Sequence, residues 1–267
     1  MTYWDRPTLK ARGKQVLKVQ GVYWTSVLVM LVYSLLGGGG SSGGAAAGNQ
    51  NQSGSTSGGY DPQMQQFWDK YGGYIAIGIL VAIIIGIVWT FFVANVLTVG
   101  KNRYFLDIRS GPSKFSTLFS GFRDGKYMGS VKGMFGMTIR VFLWGLLLVI
   151  PGIIKSLEYW MVPYILAENP DIDPKRAMEI SSRTTNGEKG NIFVLMLSFF
   201  GWMLLGAVAC GVGMFFVMPY MESTYAELFG ALRYKAEKEG YCAPGEIGME
   251  PVVTTAVAPP APTAPMV

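Results

Sequence analysis

Five ionisable residues lie inside or beside long apolar runs, and their types and spacing could carry chemistry: Arg140, Lys155, Glu158, Glu222 and Glu227. A charge at bilayer depth costs about 2.5–3.5 kcal/mol on insertion scales, so it normally faces a partner or water and marks an ion path, a ligand contact or an interhelical lock. Lys155 and Glu158 are three apart on a helix and can pair with each other, as snorkelling residues near the outer end of a span do. Arg140 and Glu222 lie deeper, and we expect them to form an interhelical ion pair, because either would be costly alone. Asn95 sits in the strongest apolar run, where an amide serves as hydrogen-bonding glue between helices.

Little else points to catalysis. The chain has no histidine, which removes the commonest general base and metal ligand. Its two cysteines, Cys210 and Cys242, lack the spacing of a zinc site or disulfide framework. Gly39-Gly40-Ser41-Ser42-Gly43 matches G-x-S-x-G, but a glycine–serine tract without a flanking strand makes no nucleophile elbow. Asn51-Gln52-Ser53 is a formal sequon inside the same tract. Glu158, Glu168 and Asp171 are the only carboxylates placed for acid–base work on a lipid-linked substrate. We expect no enzyme activity, no cofactor and no metal.

The elements around these residues follow from composition. Half of the residues are hydrophobic and 15% are charged, against about 25% charged in soluble domains; runs long enough to cross a bilayer explain the difference. Residues 1–21 read as a basic interfacial helix, 22–36 as a first span and 37–73 as a flexible Gly/Ser/Asn/Gln-rich extracellular loop. Further spans are expected near 74–99, 133–150, 153–168, 191–210 and 213–233, with turns at Pro151-Gly152 and Gly211-Val212-Gly213. Phe115, Leu118, Phe119 and Phe122 fall on one helical face, which suits a helix lying on the membrane surface or in a partner's groove. Asp173 and Pro174 open a polar surface helix. Gly125, Gly129, Gly133 and Gly136 give small-residue spacing for close helix packing. The tail from 240 onward is Ala/Pro-rich and is expected to be disordered.

Charge decides the threading. Of the 22 Lys and Arg residues, all but Lys70, Arg140 and Lys155 fall in four stretches: the N-terminus, 100–132, 175–189 and 233–238. Reading both long apolar runs as hairpins puts all four on one side, so the positive-inside rule favours six spans with both termini cytoplasmic. The basic start, apolar run and Ala45-Ala46-Ala47 also fit a cleaved signal peptide, but the basic region is long for one. The hairpins resemble each other, with Trp144 then Met161-Val162-Pro163-Tyr164 in one and Trp202 then Val217-Met218-Pro219-Tyr220 in the other.

The segments YFLDIRSGPSKFSTLFSGF (104–122), VIPGIIKSLEYWMVPYILAENPDI (149–172) and FFGWMLLGAVACGVGMFFVMPY (199–220) resemble a family of bacterial multi-pass membrane proteins catalogued as domain of unknown function nine hundred and seventy-five. The resemblance implies a helical membrane domain and carries over no catalytic residue. More loosely, the second half resembles the membrane domain fused to some glycerophosphodiester phosphodiesterases, an analogy that hints at a lipid-side role. The expectation is therefore an all-α integral protein of the plasma membrane, with about six transmembrane helices and short amphipathic surface helices. Its leading role is a non-enzymatic module binding membrane lipids or an unidentified membrane protein. A small-molecule or ion transporter is the alternative, and a membrane-bound lipid-modifying enzyme comes third. The basic residues border apolar runs, which speaks against nucleic acid.

Overall fold

The computed structural model describes residues 3–19, 21–36, 62–123, 125, 127–208 and 212–248. Among these the chain is helical, with no strand. The glycine–serine tract, the sequon and Ala45-Ala46-Ala47 lie outside the described residues, as do Cys210 and residues 249–267.

Helix α1 (Arg6–Leu17) starts where Asp5 accepts a hydrogen bond from the Thr8 amide at 3.1 Å, a side-chain N-cap. Helix α2 (Val22–Leu36) follows after a corner at which Gly21 takes φ +86°, a conformation that glycine alone adopts without strain. Helix α3 (Pro62–Trp89) begins well before residue 74, so 62–73 belong to a helix and not to the expected loop. It continues through a π turn (Thr90–Ala94) into α4 (Asn95–Asp107). The Trp89 indole donates to the Leu36 carbonyl, Tyr33 hydrogen-bonds Thr98, and Tyr104 hydrogen-bonds Thr25. This descending register makes α2 antiparallel to α3–α4.

The segment expected to lie on the membrane surface is a 3₁₀ helix (Phe115–Phe122) packed on α4. Leu118 is fully buried and Phe115 and Phe119 pack against the core, while Phe122 remains 40% exposed. The approach is close: a Cβ on Gly100 would stand 1.9 Å from the Leu118 carbonyl oxygen. Three of the four apolar residues thus pack at least partly within the chain, and Phe122 is left to solvent, membrane or a partner.

Helices α5 (Tyr127–Leu147) and α6 (Val149–Glu158) form the first hairpin. The break falls at Leu148, whose backbone is extended, and not at Pro151-Gly152. Pro151 lies in the first turn of α6, where its missing N–H would have had no helical partner. Helix α7 (Val162–Glu168) follows after a turn and α8 (Pro174–Thr185) is capped by Asp173. Helices α9 (Lys189–Val208) and α10 (Val212–Lys238) make the second hairpin. Both hairpins close through glycine pairs seven apart: a Cβ on Gly152 would lie 2.7 Å from the Gly145 Cα, and one on Gly213 would lie 2.8 Å from the Gly206 Cα. Gly129 and Gly133 face Pro170 and Leu166 at close approach, whereas a Cβ on Gly125 would meet nothing within 4 Å, so only part of the small-residue spacing serves close packing.

The core gathers Tyr104, Phe105, Ile165, Leu166, Phe199 and Phe229. The outer parts of the hairpins are apolar yet uncovered, with Leu146 at 75%, Ile150 at 72% and Leu205 at 65% exposure. Among the described residues three helical runs, Lys70–Asp107, Tyr127–Leu147 and Lys189–Gly206, are long and apolar enough to cross a membrane, or four if α1 and α2 count as one bent span. Helices α6 and α7 are separately too short.

Candidate functional site

Helix α4 runs unbroken from the π turn to Asp107, so it carries cations from the end of its apolar segment into the core. Two of its cations, and a third just past its end, meet carboxylates from other helices. Lys101 Nζ donates to Glu222 Oε1 at 2.5 Å and lies 5.0 Å from the Tyr33 ring centroid. Arg103 reaches Asp107 at 3.0 Å and Glu168 at 3.1 Å. Arg109, just past the helix, donates through Nε to Glu227 at 2.8 Å. Its guanidinium fits because position 230 is glycine; a Cβ there would be 2.4 Å from Nη2.

Glu222 therefore pairs with Lys101 and not with Arg140. It faces α4, whereas Arg140 turns toward α8 and donates to the Gly136 carbonyl and to Met178 Sδ at 3.1 and 3.0 Å. Arg140 has no carboxylate partner among the described residues. It lines a cavity of about 260 Å³ with Glu158, Tyr159, Lys175, Glu179 and Ser182. Such a cavity presents both signs of charge.

Lys155 and Glu158 do pair, at 2.9 Å, but the pair is no isolated interfacial one. Glu158 is 8% exposed and also accepts from Lys189 Nζ at 2.9 Å and Ser182 Oγ at 2.8 Å. Its carbonyl accepts from Ser181 and Thr185. One residue thus ties α6, α8 and α9 together. Ser181, Ser182 and Thr185 were missed as site residues; their signal was the hydroxyl run SSRTT at one-turn spacing on α8. Among the described residues the buried Asn95 Nδ2 has no hydrogen-bond partner, and neither have Asn102 Oδ1 and Ser130 Oγ.

Three of the basic stretches converge: the N-terminus, 175–189 and 233–238. Tyr3 donates to Glu239 at 2.8 Å, beneath Lys238. Lys235 donates to the Thr184 and Asn186 carbonyls and lies 3.5 Å from Glu188. Arg176 pairs with Glu246 at 2.7 Å, and its guanidinium holds that carboxyl below the usual range. Residues 240–248 are therefore fixed and not disordered: Ile247 is fully buried, Asn169 donates to the Glu246 carbonyl, and burial pushes the Cys242 thiol up to about 11.

A family model described as "Protein of unknown function (DUF975)" matches residues 79–236. The chain belongs to the DUF975 family. No curated protein and no solved structure matches it. The DUF975 region contains the cation–carboxylate pairs of α4, the Glu158 node and Arg140. It leaves out α1, α2 and the pinned segment 240–248. Among the described residues no cluster of Cys, Asp and Glu is placed to hold a metal, and Glu158, Glu168, Glu222, Glu227 and Glu246 are each paired with a cation.

Proposed function

We propose that the chain is a six-span plasma-membrane protein with cytoplasmic termini, acting as a non-enzymatic module that binds membrane lipid. The observation that carries this reading is the contrast between ion-paired basic segments and uncovered apolar hairpin surface. Polar contacts tie the N-terminus to α10 through Tyr3–Glu239 and α10 to the end of α8 through Lys235–Glu188, and hold Arg103 on Glu168 and Arg176 on Glu246, while Leu146, Ile150 and Leu205 of the hairpins stay exposed. Uncovered apolar surface of this kind suits a lipid environment, and basic stretches that border apolar runs suit the cytoplasmic leaflet. At 1.5 Å per residue the 21 residues of α5 and the 20 of α9 each reach about 30 Å, the thickness of the hydrocarbon layer. Helices α6 and α7 together serve as one broken span in this threading, and α10 passes Pro219 without ending.

Transport is less well supported. Arg140, Glu222 and Asn95 would have to line one aqueous cavity, yet Glu222 is buried in an ion pair and Arg140 opens on a different cavity. Extraction separates the readings. The protein should resist alkaline carbonate, dissolve only in detergent and carry phospholipid through purification. Release by carbonate, or purification free of lipid with uptake of a solute by loaded vesicles, would overturn the proposal.

A further inference from the structure

We propose that the groove between α1 and the α9–α10 hairpin binds one anionic phospholipid, its phosphate on Lys14 and Lys18 and an acyl chain along Trp202 and Phe216. This rests on the lipid-binding reading and gives it a place and a headgroup class. The groove has a volume of about 500 Å³, and its lining includes Lys14, Lys18, Tyr23, Trp202, Phe216 and Tyr220. Cavities of roughly 300–1,000 Å³ hold small ligands, so there is room for a headgroup and part of one chain.

The lining has the polarity of the ligand. Lys14 in the last turn of α1 and Lys18 at its C-cap are four apart with helical backbone, so they share a face; both are exposed and neither pairs with a carboxylate among the described residues. The rest of the wall is mostly apolar, with Trp202 at 55% and Phe216 at 46% exposure. Because no carboxylate lines the groove, the ammonium of a zwitterionic headgroup would meet only aromatic faces beside two like-charged lysines. The Arg140 cavity differs in this respect, since Glu158 and Glu179 stand beside its cations. Free phosphate would meet only two exposed lysines, a weak interaction in water, and would leave the apolar wall unused.

The groove is also held in place. Ser223 Oγ donates to the Gly13 carbonyl at 2.8 Å, and a Cβ on Gly13 would lie 2.9 Å from Thr224 Oγ1. Lys10 Nζ stands 4.8 Å from the Phe199 ring centroid, and Leu9 and Leu17 are buried. These contacts clamp α1 onto α10 and leave Lys14 and Lys18 at the rim.

The test is native mass spectrometry of the full chain in detergent, titrated with phosphatidylglycerol, phosphatidylcholine or inorganic phosphate. Wild type should retain one phosphatidylglycerol in preference to phosphatidylcholine, and inorganic phosphate should not displace it. Lys14→Gln with Lys18→Gln should weaken phosphatidylglycerol by roughly 20- to 30-fold, at about fivefold per lysine. Lys14→Arg with Lys18→Arg should keep it, and Trp202→Ala should weaken both lipids alike. Displacement by inorganic phosphate at equal strength would overturn the proposal in favour of a plain anion site. Retention unchanged in the double glutamine variant, with loss in Arg140→Gln, would overturn the groove and leave the lipid reading standing. A wild-type protein that holds neither lipid would sink both.

Discussion

Removing Lys101 alone should harm the fold more than removing Lys101 and Glu222 together. Their charged atoms are 2.5 Å apart, which at an effective dielectric of about 20 corresponds to an attraction of about 6–7 kcal/mol. Taking both ions from water costs several kcal/mol each, so the intact pair contributes little net stability. Deleting one partner leaves the other charge buried and uncompensated, at a cost of about 3–5 kcal/mol. With roughly 2–4 °C per kcal/mol for a chain of this size class, Lys101→Met should lower Tm by about 10 °C. Lys101→Met with Glu222→Leu should recover at least half of that loss. The assay is thermal unfolding in detergent for wild type, both single variants and the double variant, completed as a cycle. A coupling of about 2 kcal/mol or more is expected. Additivity within about 0.5 kcal/mol would refute the pairing. Arg140→Met combined with Glu222→Leu serves as the control and should be additive.

Three further outcomes follow from single contacts. Gly152→Val or Gly213→Val should strongly destabilise the hairpins, whereas Gly201→Ala, where a Cβ meets nothing within 4 Å, should not; equal Tm values would contradict the glycine closures. In a Cys210→Ser background, Cys242 should react with iodoacetamide at pH 8 at least tenfold more slowly when folded than when denatured, because burial raises its thiol to about 11 from a free value of about 8.5; comparable rates would contradict it. Hydrogen bonding from Arg176 lowers the Glu246 carboxyl below its ordinary 4.5. Its contribution is therefore present above pH 4.5 and is lost as pH falls through the lower folded value. Limited proteolysis across 240–248 should accelerate below that pH in wild type, and Glu246→Gln should be cleaved fast at every pH; slow, pH-independent cleavage of that variant would refute the link.

Much of this architecture was readable because hydrophobic length and helix spacing are local properties. The Lys155–Glu158 pair and the packing of Gly129 and Gly133 needed only residues within one helix or its neighbour. What failed depended on tertiary context. Lys101 lies two residues past the apolar run and was counted with a basic loop, but α4 continues without a break and carries it into the core. The four-residue spacing in 115–122 described a face correctly, yet not that α4 bears Gly100 to receive it. Pro151 looked like a break because proline ends helices from within, although it is tolerated in a first turn. Segment 240–248 has a low-hydrophobicity composition, and its order comes from Arg176 and Asn169, more than sixty residues away in sequence.

The threading itself is the central claim, and paired phosphatase and fluorescent-protein fusions test it most directly. Fusions after residues 55, 110, 152, 182 and 212 should report outside, inside, outside, inside and outside. A cytoplasmic signal at 152 or at 212 would contradict the six-span account, because it would place a hairpin tip on the same side as the joined basic stretches.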